Sequence, residues 1–107
     1  GEKDVETAYR LGLPAGWAAT TCPFGTRWVS VYGEMLRGKN IVLCPDTDAA
    51  GQMHLRQIGR DLVGKVPDMR LIVVPDQIKD LSLWADGKTS EQFAALLDSA
   101  QPVDFPP

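Results

Sequence analysis

Two short apolar runs, each closed by a proline and separated by one long amphipathic stretch, most constrain what this chain can fold into. The first is Ile41-Val42-Leu43-Cys44 before Pro45, and the second is Met69-Arg70-Leu71-Ile72-Val73-Val74 before Pro75. Runs of this length and composition read as buried strands, and proline, which makes poor strand interior, helps to end them. Between them, residues 49–63 keep Gly51, Leu55, Ile58 and Leu62 on one helical face and Gln52, Arg56, Gln57, Arg60 and Asp61 on the other. That is the pattern of a surface helix. Strands alternating with helices predict an α/β domain with a mostly parallel sheet, in two or three layers.

The remaining segments can be placed around this core. Val5, Ala8 and Leu11 recur at helical spacing and Gly12 is a plausible stop, so a helix is expected to begin at residue 3 or 4. Asp4 would cap that helix or point into whatever cleft lies beside its start. Pro14-Ala15-Gly16 turns the chain into an expected short strand over 17–22, followed by a loop over 23–26. Residues 28–36 have helical spacing through Trp28, Val31, Tyr32, Met35 and Leu36, with Gly38 beyond their end. Trp28 could stack on a ligand, although its place in that stripe suits a core residue. Thr89 followed by Gln92 gives a capping-box start to a last helix, with Phe93, Leu96 and Leu97 on its apolar face. Residues 1–100 are thus expected to form the domain, and the three prolines of 101–107 read as a linker or tail.

Bulk properties narrow the function. At 107 residues the chain fits one domain with a real core, and its apolar (44%) and charged (23%) fractions are ordinary. A formal charge of −3 and a pI near 5.0 argue against a grip on nucleic acid by bulk electrostatics. They leave room for an acidic, cation-binding site in a nucleic-acid enzyme. His54 is the only histidine, which removes zinc chemistry built on several histidines; it is given no catalytic role. Cys22 and Cys44 follow no metal-ligand spacing and form no disulfide framework, so reduced thiols and a cytoplasmic location are expected. Cys44 should pack as a small hydrophobe at its strand end. No run approaches a membrane span and none reads as a secretory signal.

The chemistry concentrates at Asp46 and Asp48, directly after the first strand and before Ala49-Ala50-Gly51. A strand-to-helix turn delivers both carboxylates to the mouth of a sheet, where α/β proteins tend to bind ligands. Two like charges so close repel, and a hard cation such as Mg²⁺ would offset this. Helix capping is the competing account, and it explains Asp48 well and Asp46 poorly. Lys79 and Asp80 fall just beyond the second strand, on the same edge if the strands are parallel. Lys79 would meet a phosphate as a point charge or form a structural salt bridge. Arg56 and Arg60, one helical turn apart, could also meet a phosphate, but a solvated face accounts for them more simply.

Gly1-Glu2-Lys3-Asp4, then Pro45-Asp46-Thr47-Asp48-Ala49-Ala50-Gly51, then Lys79-Asp80-Leu81-Ser82-Leu83-Trp84 together resemble the Toprim domain of DNA primases and primase-helicases from phages, plasmids and bacteria. Thr21-Cys22-Pro23-Phe24-Gly25-Thr26-Arg27-Trp28 is similar to the loop those proteins carry before their second helix, and the likeness spans roughly residues 1 to 87. The resemblance implies a Toprim-like fold and Mg²⁺ or Mn²⁺ held by Asp46, Asp48 and Asp4, with Lys79 and Asp80 near nucleotide and metal. It implies Mg²⁺-dependent nucleotidyl transfer in DNA replication, making RNA primers on single-stranded DNA from nucleoside triphosphates, with a replicative helicase as a further partner of the parent protein. The physical reading agrees, because phosphoryl transfer needs cations on the attacking and leaving oxygens and carboxylates to hold them. Two departures stand out. The family pattern is Glu-Gly-x-x-Asp, and with Gly1 at the glycine the family glutamate and first strand are expected upstream of Gly1, which would leave the isolated fragment inactive. Leu83 stands where relatives commonly have another acidic residue. The alternatives are a non-catalytic Toprim-like module contacting DNA or protein, or another Toprim enzyme such as a topoisomerase or nuclease. An Asp-x-Asp phosphatase is disfavoured because Ala50 stands where such enzymes typically have Thr or Val.

Overall fold

The first apolar run and the first half of the second enter strands, and the two pair in parallel. The computed structural model describes residues 1–21 and 28–106. The elements are α1 (Glu2–Leu11), α2 (Ser30–Met35), β1 (Asn40–Leu43), α3 (Ala49–Leu62), β2 (Asp68–Leu71), α4 (Leu81–Trp84), α5 (Ser90–Asp98) and β3 (Gln101–Pro102). β1 pairs with β2 in parallel register, Ile41 facing Met69 and Leu43 facing Leu71. β3 adds to the other side of β2 in antiparallel register, Leu71 facing Gln101. The sheet is therefore mixed, in the order β1-β2-β3, and the expectation of a mostly parallel sheet holds only for its first pair.

The core lies on one face of this sheet. Ala8 and Leu11 of α1, Leu81 and Trp84 of α4, and Phe93, Leu96 and Leu97 of α5 close over Ile72 and Val74, with Val42 and Cys44 against them. Leu55 and Leu62 of α3 and Phe105 are buried outside this cluster. Residues 72–74 do not behave as a strand covered on both faces. Ile72 and Val74 are each 2% exposed, whereas Val73 between them is 70% exposed. Alternation along extended backbone explains this, since successive side chains point to opposite faces.

Two expectations are corrected. Residues 17–21 form no strand; the small residues Ala18 and Ala19 have little intrinsic preference for one. Ala19 instead packs against the core, and its N–H donates to the Tyr9 hydroxyl at 3.2 Å. Cys22, the last residue of that expected strand, and the loop expected over 23–26 lie among residues 22–27, outside the described residues. The proline-rich stretch read as a linker or tail supplies β3 and a buried side chain. Val103 N–H bonds the Met69 carbonyl at 3.2 Å, and the Phe105 ring lies where a Cβ on Gly59 of α3 would stand.

The amphipathic helices follow their sequence signals closely. Thr89 caps α5 by accepting from Gln92 N–H at 3.2 Å, while Gln92 Oε1 accepts from Thr89 N–H at 2.8 Å. Gly12 ends α1 at a φ of 101°, which costs glycine little. The helix over residues 28–36 shortens to Ser30–Met35. Trp28, just before it, neither enters the core nor stands free. Its indole N–H donates to Asp61 at 2.7 Å, Asp61 also pairs with Lys65 at 2.7 Å, and Lys65 reaches Glu34 at 3.6 Å. These contacts fasten α2 to α3.

Candidate functional site: an acidic sheet edge

Because β1 and β2 run parallel, their C-terminal ends open on one edge. Residues 46–48 leave β1 there, and residues 78–80 pass beside them before α4. Thr47 stitches the two turns together. Its N–H donates to the Lys79 carbonyl at 2.8 Å, and its hydroxyl lies 3.2 Å from the Ile78 carbonyl and 3.4 Å from that of Lys79. The expected juxtaposition of Asp46 and Asp48 with Lys79 and Asp80 is thus what the topology produces.

Each aspartate is held differently. Asp48 caps α3, its Oδ1 accepting from Gly51 N–H at 2.7 Å. Asp80 caps α4 in the same way, accepting from Leu83 N–H at 2.8 Å. Asp46 caps nothing. Its carbonyl accepts from Gln52 Nε2 at 3.0 Å, while its carboxylate makes no hydrogen bond or ion pair among the described residues. Asp4, in the first turn of α1, accepts from the N–H and hydroxyl of Ser82, at 3.1 Å and 2.5 Å. Its other oxygen lies 3.5 Å from the N-terminal amine. Lys79 is exposed and forms no salt bridge among the described residues.

The charges of this edge meet at Asp46. Burial raises its acid above the usual 3.8, and the carboxylates of Asp4, Asp80 and Asp48 raise it further, partly offset by the N-terminal amine. Cys44, at the base of the edge, feels the same field. Burial first, and then the negative charges of Asp4, Asp46 and Asp80, push its thiol up to about 12. It is a protonated packing group, as its place at the strand end suggested.

The donor set is chemically suited to a hard divalent cation: carboxylate oxygens, mutual repulsion and no side-chain cation among the charges acting on Asp46. The capping bonds of Asp48 and Asp80 each use one oxygen and leave the second available. Among the described residues, however, no three of these groups converge as a ready-made metal cage.

Sequence reasoning missed the supports of this edge: Ser82 and Thr7 behind Asp4, Thr47 between the turns, and Gly51 against Asp46. Gly51 carried a signal, since a glycine in a helix's first turn gives up stability unless something needs its missing side chain. A Cβ there would strike the Asp46 carbonyl and Cβ. Two open depressions of about 420 and 430 Å³ lie elsewhere, beside Trp17 and Asn40 and beside Glu2 and Thr21. No helix among the described residues is long and apolar enough to cross a membrane. No family model, no curated protein and no solved structure compared with the chain matches it.

Proposed function

We propose that this chain is the Toprim segment of a DNA primase. In this reading the acidic edge holds Mg²⁺ or Mn²⁺ for nucleotidyl transfer, making RNA primers from nucleoside triphosphates on single-stranded DNA. The observation that carries the reading is Asp46: a carboxylate without a hydrogen-bond donor among the described residues, its acid raised first by burial and then by three neighbouring carboxylates. A divalent cation, when bound, neutralises charge on the attacking and leaving oxygens of phosphoryl transfer. Asp46 and Asp48 would hold it through their uncommitted oxygens, with Asp4 and Asp80 oriented around them. Lys79, exposed one residue before Asp80, supplies a positive point charge for a phosphate of the triphosphate or polynucleotide.

A second reading has its own observation. The lack of a three-ligand group among the described residues favours a non-catalytic Toprim-like module that contacts DNA or a partner protein. Calorimetric titration of the chain with Mn²⁺ tests the first reading. Binding that disappears in the Asp46→Ala, Asp48→Ala double variant supports the metal assignment; binding unchanged by the double substitution sinks it. Templated primer synthesis by a polypeptide carrying this chain separates enzyme from module. Loss of synthesis with Asp46→Ala is expected of the primase.

A further inference from the structure

We propose that the free edge of β1 pairs, antiparallel, with β1 of a second copy of this chain, joining two sheets into one. The proposal stands apart from the cation reading of the acidic edge. The two outer strands of the sheet differ in how they are protected. β3, on one side, is two residues long and contains Pro102, which has no N–H to offer a neighbour. Short length and proline are among the devices that keep an edge from pairing with other chains. β1, on the other side, has neither. Asn40-Ile41-Val42-Leu43 runs in unbroken register along β2, carries no charge, and is apolar in three of its four residues. Residues 41–43 are only half-buried, and among the described residues β1 has a strand neighbour on one side alone.

The register shows which backbone groups face outward. The Leu43 carbonyl accepts from Ile72 N–H at 2.9 Å, on the β2 side. Backbone groups of successive strand residues alternate in direction. Ile41 therefore faces β2 as well, while Asn40 and Val42 aim their N–H and C=O groups away from it. Charge selects the occupant. Pairing about a twofold axis at Val42 lets Val42 exchange both bonds with its own counterpart, and Asn40 with Cys44 of the second copy. The same register sets Gly38 opposite Asp46 and Lys39 opposite Pro45. Lys39 is exposed and forms no salt bridge among the described residues, and the Asp46 carboxylate forms none either. A lysine stem is flexible enough to reach the neighbouring position. Each copy's lysine thus meets the other's aspartate, and symmetry makes the contact twice. A parallel pairing would instead put Lys39 beside Lys39 and Asp46 beside Asp46. With only four residues in β1 the contact is small, so the dimer is weak and reversible.

Sedimentation equilibrium over a range of protein concentrations reads the dimer constant, and amide hydrogen exchange followed by nuclear magnetic resonance reads the edge. Wild type is expected to dimerise as concentration rises. The Asn40 and Val42 amides should gain protection with it, while those of Ile41 and Leu43, which face β2, should not change. Asn40→Pro removes an outward N–H at the first strand position, where proline is tolerated, and should weaken the dimer. Lys39→Glu turns two attractions into repulsions and should weaken it about tenfold. Adding Asp46→Lys to Lys39→Glu exchanges the two signs and should restore it. Circular dichroism checks that each variant is folded; should Asn40→Pro misfold, the charge exchange decides alone. A wild-type chain that stays monomeric at every concentration overturns the proposal. So does a dimer indifferent to Lys39→Glu, or one that the charge exchange fails to restore, since it would use another surface. A polypeptide extended upstream of Gly1 that is monomeric, with its Val42 amide protected at every concentration, overturns it too, because the edge then belongs to its own chain.

Discussion

Gly51→Ala sets two general rules against each other at the centre of the acidic edge. In a helix interior, alanine in place of glycine stabilises by about 1 kcal/mol. Gly51 has no positive φ that would require glycine, so backbone conformation gives no reason to expect otherwise. Contact does. An added Cβ falls on the carbonyl and Cβ of Asp46, backbone and near-backbone atoms that cannot rotate away. Overpacking of this kind costs about 1–3 kcal/mol. The shift that relieves it also disturbs the Asp48 cap on Gly51 N–H, typically about 1 kcal/mol, and the Gln52 bond to the Asp46 carbonyl. Set against the propensity gain, the net loss should be about 1–3 kcal/mol. For a domain of this size that is a fall in Tm of roughly 5–15 °C. Urea and thermal unfolding followed by circular dichroism read both quantities. A Gly51→Ala variant as stable as wild type, or more so, would refute the claim that α3 is seated on Asp46.

Two further outcomes follow from the same edge. The Asp46 acid is raised above 3.8 on folding, so the folded chain keeps that proton to higher pH than the unfolded chain. The stability tied to this group is therefore greatest below 3.8 and is lost as pH rises through the folded value. Asp46→Asn should accordingly be more stable than wild type at neutral pH and lose that advantage in acid; equal denaturation midpoints at neutral pH would count against the cost of burying this charge among other carboxylates. Cys44, its thiol near 12, should resist alkylation by iodoacetamide in a Cys22→Ser background until the chain unfolds. Mass spectrometry showing rapid labelling of folded protein would contradict that burial.

What the sequence made legible was whatever a local rule decides. The apolar runs gave β1 and most of β2, the second run continuing three residues past its strand, and Thr89 with Gln92 located the start of α5 to the residue. Longer-range contacts were illegible. The prolines of 101–107 looked like chain-breakers. Yet Pro102 sits in an edge strand, where a missing N–H does little harm, and Phe105 is buried because Gly59 leaves a space for its ring. Neither fact is visible without α3 and β2 in place. Residues 17–21 failed for the opposite reason, because a pattern read as a strand has no pairing partner among the described residues.

The candidate site shows why capping and metal binding were hard to separate from residue identity alone. Asp48 and Asp80 cap helices, so the simpler account of a carboxylate before a helix is correct for both. It does not remove them from the chemistry. A capping bond uses one oxygen and fixes the carboxylate at the start of its helix. Caps thus fix two charged oxygens in direction while leaving two others uncommitted. Among the described residues Asp46 has neither a donor nor a helix end of its own, and burial first and then the surrounding carboxylates raise its acid. Repulsion therefore falls on the one aspartate that capping does not explain. A cation that relieves it would act first on Asp46, with the capped pair already oriented to join.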